Sequence, residues 1–239
     1  MAEILLEVCV DDVAGLQAAV AGGADRIELC QNLGVGGLTP SSGLMMAARD
    51  CGVPLHAMIR PRTGGFVYSD AELGVMLGDI AAARQHGLHG VVFGALDDAG
   101  NLHEVLLRRL LKASEGMSVT LHRAFDVATA PIRETVEQAI ALGFDRILTS
   151  GRAALAQDGI VNLRESIAQA RGRISIMPAS GLNPEMIAAF LRHVTVQEVH
   201  ASCTVPVQLT NTGFDFTTAA ARHTDQAQVA RMKVALRLS

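Results

Sequence analysis

The first apolar run of the chain ends Glu7-Val8-Cys9 and the second ends Glu28-Leu29-Cys30, so an acid and a thiol recur two residues apart in consecutive segments. In an extended strand, residues two apart point to the same side, which sets each carboxylate beside its thiol and sends Val8 or Leu29 the other way. If that side faces inward, two carboxylates and two thiols converge. Later runs end in further ionisable groups: His56 followed by Arg60 and Arg62, His122-Arg123 with Asp126 nearby, and His200. Histidines and glutamates transfer protons, and arginines hold anions. Glu7, Glu28, His56, His122 and His200 are therefore the candidate catalytic set if the chain is an enzyme. A buried Glu or His can be a purely structural group and a lone cysteine a small hydrophobe. For the whole set that reading is harder to sustain, because so many buried ionisable groups require mutual pairing or a ligand.

Three later segments end differently, in Thr149-Ser150-Gly151, Ala179-Ser180-Gly181 and Ala201-Ser202. Small residues with open amides suit an anion, so Ser150, Ser180, Gly181 and Ser202 join Arg60, Arg62, Arg123 and Asp126 as candidate anion-binding residues. The alternative is that Ser-Gly only shapes a tight turn. The chain has only two lysines, Lys112 and Lys233, neither of them at a strand end, which argues against Schiff-base chemistry. No G-x-S-x-G elbow is present, and GVGGLTP at 34–40 lacks the Gly-Lys-Ser/Thr ending of a P-loop.

Short Val/Ile/Leu-rich runs alternate with Ala-rich segments of helical period, the pattern of βαβ units around a buried parallel sheet. Eight units are legible, with strands expected at Ile4–Cys9, Asp25–Leu29, Leu55–Ile59, Gly90–Phe93, Ser118–Leu121, Asp145–Leu148, Ile174–Met177 and Gln197–Val199. Helices are expected near Val13–Ala21, Ser42–Cys51, Asp70–His86, Leu102–Ala113, Pro131–Leu142, Leu163–Ala170 and Pro184–His193. Asn183 before Pro184 reads as an N-cap, and Gly22–Gly23, Gly87 and Gly143 as left-handed helix ends. A long loop from Ala201 to Phe216 precedes an additional C-terminal helix from about Thr224 to Leu236, which would cover the barrel or join a partner subunit.

The expected fold is a single-domain (β/α)8 TIM barrel over residues 1–239, close to the roughly 250 residues typical of that fold. An open doubly wound sheet is the rival, but no GxGxxG follows the first strand. A net charge of −4 gives no attraction for nucleic acid or anionic lipid, and no run is apolar enough to span a membrane. The amino terminus lacks a leader pattern, so a cytoplasmic protein is expected. The four cysteines, Cys9, Cys30, Cys51 and Cys203, have no CxxC spacing and read as free thiols.

The strings ELCQNLGVGGLTPS at 28–41, MIRPRTGGFVYS at 58–69, LHRAFD at 121–126 and ILTSG at 147–151 closely resemble the CutC family of copper homeostasis proteins. The resemblance covers nearly all of the chain. It implies a cytoplasmic barrel, a homodimer or larger oligomer, and a link to copper, with Cys9 and Cys30 matching the thiol pair proposed to bind Cu(I), a soft ion that prefers thiolates. The chain departs from the family pattern at Arg60-Pro61-Arg62-Thr63-Gly64-Gly65-Phe66, where RPRGGDF is usual, and at Ala99-Gly100-Asn101-Leu102-His103, where DGxID is usual.

Two functions follow. In one, the protein binds Cu(I) through Cys9 and Cys30 without catalysis. In the other, it is an enzyme acting on a small anionic or phosphorylated metabolite. A divalent cofactor such as Mg2+, Mn2+ or Zn2+ on Glu7, Glu28 and a histidine ranks third. Low aromatic content, 3% with no Trp, disfavours a pure interaction scaffold.

Overall fold

The computed structural model describes residues 3–207 and 222–238. Eight strands, β1 (Leu5–Val10), β2 (Arg26–Leu29), β3 (Leu55–Met58), β4 (Gly90–Phe93), β5 (Ser118–Leu121), β6 (Arg146–Thr149), β7 (Ser175–Pro178) and β8 (Glu198–Ala201), form one parallel sheet. The strand order is 7-6-5-4-3-2-1-8, so β1 is paired on both sides while β7 and β8 stand together without a ladder between them. The helices are α1 (Val13–Ala21), α2 (Ser42–Ala48), α3 (Asp70–Gln85), α4 (Glu104–Ala113), α5 (Ile132–Leu142), α6 (Ile160–Ala170), α7 (Ile187–Leu191) and α8 (Gln226–Arg237). This is the expected (β/α)8 barrel, and the C-terminal helix is its eighth helix, packed on α1 and α7.

Differences from the expected boundaries have local causes. Asn183 Oδ1 does accept from the Glu185 and Met186 amides, but Pro184 to Met186 wind as a turn, so α7 begins later than expected. Gly23, Gly87 and Gly143 take left-handed backbone, whereas Gly22 stays right-handed at φ −77°. Within the stretch expected to be a loop, β9 (Thr204–Pro206) pairs antiparallel with β10 (Arg222–Thr224), and the part from 208 to Phe216 lies outside the described residues. No helix among the described residues is long and apolar enough to cross a membrane.

Alternation along the strands sorts the barrel into two layers. Leu6, Val8, Val10, Ile27, Leu29, Leu55, Ala57, Val91, Phe93, Ile147 and Val199 face outward and join Leu16, Met45, Met76, Leu107, Leu163, Val229 and Met232 of the helices in one apolar core. The inward positions of β1, β2, β3 and β8 are instead polar: Glu7, Arg26, Glu28, His56, Glu198 and His200 are all buried. Apolar contact inside the barrel is confined to two small groups, Cys30–Met58–Val92 and Leu148–Met177–Ala179. Most of the hydrophobic stabilisation, at about 25 cal/mol per Å2 of apolar surface, therefore lies outside the sheet, which leaves the interior free to carry charge.

The repeated segment Asp-Arg-Ile, at 25–27 and 145–147, does the same work twice. Asp25 Oδ2 accepts from the Leu6 amide and Asp145 Oδ2 from the Val119 amide, each at 2.7 Å, satisfying a neighbouring strand's backbone near its start. Lys233 of α8 donates to Asp25 at 2.6 Å, anchoring the last helix beneath β1 and β2.

Candidate functional site

Strand register assembles the site. Glu7 is opposite Arg26 on one side and His200 on the other, Cys9 is opposite Glu28, and Glu28 is opposite His56. The candidate ligand atoms of Cys9, Glu28 and His200 all lie within 4.8 Å of one another. Cys30 is not in that group, and it reaches it by donating its S–H to Glu28 Oε2 at 3.5 Å. All four residues are buried, and Cys9 and His200, at 7% and 8% exposure, are where the cluster comes nearest to solvent.

A charged floor lies beneath. Arg26 pairs with Glu7 and with Glu198, and Arg146 donates to Glu198 at 3.1 Å. Burial opposes the charge on Glu7, but Arg26 and His200 hold its carboxyl well below the usual range. That carboxylate accepts from His200 Nδ1 at 2.7 Å, leaving Nε2 directed at Glu28 Oε2, 3.9 Å away. Carboxylate–imidazole pairs of this kind fix the ring and raise its basicity in metal sites. Burial disfavours the imidazolium, yet Cys9 and Glu28 beside it, with Glu7, raise His200 well above its ordinary value. Burial raises the Glu28 carboxyl, and burial followed by the neighbouring Glu28 pushes the Cys30 thiol well up. Glu28 Oε1 is buried and has no partner.

His56 lies beside the charged floor and His122 farther round the mouth, each against a glycine of β4 or its end. A Cβ on Gly90 would come within 2.6 Å of the His56 ring, and one on Gly94 within 2.7 Å of His122 Nδ1. Burial holds both imidazoles neutral, down to about 3, with Arg60 adding to the effect at His122. Arg60 donates to the carbonyls of Val35, Gly37 and Gly64. Arg62 is spent on Glu72 and on the carbonyls of its own loop.

The remaining predicted anion-binding residues are largely bonded to one another. Asp126 accepts from Thr149, from the Ser150 and Arg152 amides, from Ser150 Oγ and from Arg123. An internal carboxylate thus occupies the amides that end β6. Ser180 Oγ donates to Ala154 O, Ser202 shares a hydrogen bond with Thr204, and Leu155 fills the space over Gly181. The structure gathers Glu7, Cys9, Glu28, Cys30 and His200 in one place, Arg60 and His122 in another, and Arg123, Asp126 and Ser150 in a third.

Sequence reasoning missed Arg26, Arg146 and Glu198. The signal was present, since Arg26 precedes Glu28 by two residues and Glu198 precedes His200 by two, the same spacing that relates Glu7 to Cys9.

Fold and site together define a (β/α)8 barrel with a buried thiol–carboxylate–imidazole cluster at the C-terminal end of its strands. Residues 4–205 match the CutC family model, and the chain belongs to the CutC family. It is 49% identical over 237 residues to a CutC family protein of Agrobacterium fabrum (strain C58 / ATCC 33970), covering 98% of this chain and 94% of that one. It is 46% identical to one of Caulobacter vibrioides (strain NA1000 / CB15N), covering 98% and 97%. The crystal structure of CutC from Streptococcus agalactiae, whose name proposes a role in copper homeostasis, superposes with a TM-score of 0.78 at 33% identity over 83% of this chain and 98% of that one.

Proposed function

We propose that the protein handles copper, holding a single Cu(I) ion as cargo between Cys9 Sγ and His200 Nε2, with Glu28 as the adjoining donor and Cys30 as a thiol in reserve beside it. The observation that carries this is the convergence of the three ligand atoms within 4.8 Å in a buried site. A thiolate is the donor Cu(I) prefers, and imidazole suits copper as well. Glu7 supports the reading by orienting His200, and the unpartnered Glu28 Oε1 is an acceptor with room for a cation or a proton. This places His200 where the two-thiol scheme placed Cys30. The reading also takes the protein to be cytoplasmic and a homodimer or larger assembly, as the family resemblance implies, which fractionation and sedimentation would test.

Anaerobic Cu(I) titration against a competing chelator tests the site. Cys9→Ser and His200→Gln should each weaken binding by tenfold or more, and Cys30→Ser by less. Binding should release protons and tighten as pH rises, because the raised His200 must give up its Nε2 proton. Parent-like affinity in both Cys9→Ser and His200→Gln would refute the proposal. Zn(II) held more tightly than Cu(I) through the same residues would make the cargo divalent.

A further inference from the structure

Arg60 is a buried cation without a counter-charge. It is 7% exposed, its three hydrogen bonds all go to backbone carbonyls, and among the described residues no carboxylate lies within ion-pairing distance of it. Arg26, equally buried, has two carboxylates. An unpaired buried guanidinium is costly, and chains that keep one supply the missing charge from elsewhere.

The surroundings of Arg60 are short of acceptors. Its Nε–H and His122 Nε2 have no partner, and the Tyr68 hydroxyl, without a well-formed hydrogen bond, lies beside the Arg60 guanidinium, all in residues at least nine-tenths buried. His122 Nδ1 accepts from the Ala124 amide at 3.2 Å, so the neutral ring carries its proton on Nε2 and presents a second donor. One aromatic ring joins the group: the Arg60 guanidinium lies 5.2 Å from the Phe66 centroid and the His122 ring 4.7 Å from it. Phe66 is only half-buried, on an exposed loop, and its ring forms the outer side of the cluster.

We propose that Arg60, His122 and Tyr68, beneath Phe66, form a binding site for the carboxylate group of a small organic acid, separate from the Cys9–Glu28–His200 cluster. One positive charge with side-chain donors matches a planar monoanion, in which one oxygen takes Arg60 Nε–H and the other His122 Nε2–H. A phosphate dianion would ask for more charge and for backbone amides, and the amides that end β6 are already committed to Asp126.

The test uses the full chain stripped of metal, with acetate, a carboxylate monoanion, as the probe, inorganic phosphate and chloride as contrasts, and imidazole 15N NMR beside calorimetry. Acetate should bind saturably and shift the His122 Nε2 resonance. His122→Gln should weaken it at least tenfold and Tyr68→Phe by a smaller factor. These two variants are preferred to any change at Arg60, whose carbonyl contacts hold the loops after β2 and β3. Cys9→Ser should bind acetate like the parent, so loss of the metal site and loss of this one are read separately. The proposal is overturned by the absence of a saturable shift, by unchanged affinity in His122→Gln, by phosphate binding in place of acetate, or by loss of acetate binding in Cys9→Ser.

Discussion

Two corners of the barrel mouth each centre on a carboxylate and have opposite states. At the end of β6, Asp126, Arg123, Ser150 and Thr149 are bonded to one another and to the loop backbone, and the Asp126 carboxylate accepts on both oxygens. At the ends of β8, β1 and β2, Glu28 leaves one oxygen bare, and the His200 Nε2 edge faces Cys9 and Glu28. A buried carboxylate does not by itself distinguish a binding site from a structural knot. What separates them is whether the hydrogen-bonding capacity is used up inside the chain, because each unused buried group carries a desolvation cost that a ligand can remove.

The contrast can be broken at its base. Arg26→Met strips Glu7 and Glu198 of their shared partner and should cost about 3–5 kcal/mol in denaturant unfolding, the usual penalty for one orphaned member of a buried ion network. A loss within the scatter of surface substitutions would mean that the floor does not hold the cluster. Next in size, Asp126→Asn should cost about 1–3 kcal/mol by weakening hydrogen bonds to a charged acceptor, with Cu(I) affinity unchanged. Glu28→Gln should do the converse, leaving stability near that of the parent and weakening metal binding about tenfold. Equal metal defects in the two variants would erase the distinction between the corners.

The gentlest probe is pH. His56 and His122 are held at about 3 in the folded chain, below the roughly 6.5 of an unfolded histidine. Between those values the unfolded chain binds protons that the folded chain does not, so these two groups stabilise fully above about 6.5 and lose their contribution as pH falls, each by at most about 1.4 kcal/mol per unit. His200 acts in the opposite sense, since its raised value gives stability below about 6.5 that fades as pH rises through it. His122→Gln should therefore flatten the acid limb of a plot of unfolding midpoint against pH. A limb as steep as the parent's would show that His122 is not kept neutral.

The fold was legible because its cues are local. The Val8 and Leu29 alternation, the glycines closing helices and the repeated Asp-Arg-Ile all act within a few residues of themselves. The inward set was legible for the same reason, through the spacing of Glu7 with Cys9 and of Glu28 with Cys30. The sharing of ligands was not. Whether Cys9 meets Cys30 or His200 depends on the β1–β8 register, set 193 residues apart at the Glu7–His200 contact. The fate of Asp126 was hidden too, since only the folded loop after β6 brings the Ser150 and Arg152 amides to its carboxylate. Arg60 looked like one of several equivalent arginines until its neighbours proved to have no charge to offer it.

The gap between β7 and β8 gives the charged floor a second meaning. Where backbone ladders close the rest of the sheet, side chains span this seam: Arg146 of β6 reaches Glu198 of β8, and Arg26 of β2 reaches both Glu198 and Met177 of β7. The two contacts to Glu198 require the last strand to be in place, whereas Arg26–Met177 needs only β2 and β7. Where the backbone leaves the barrel open, its closure is an electrostatic latch, made by side chains that begin on β2 and β6 and end on β8.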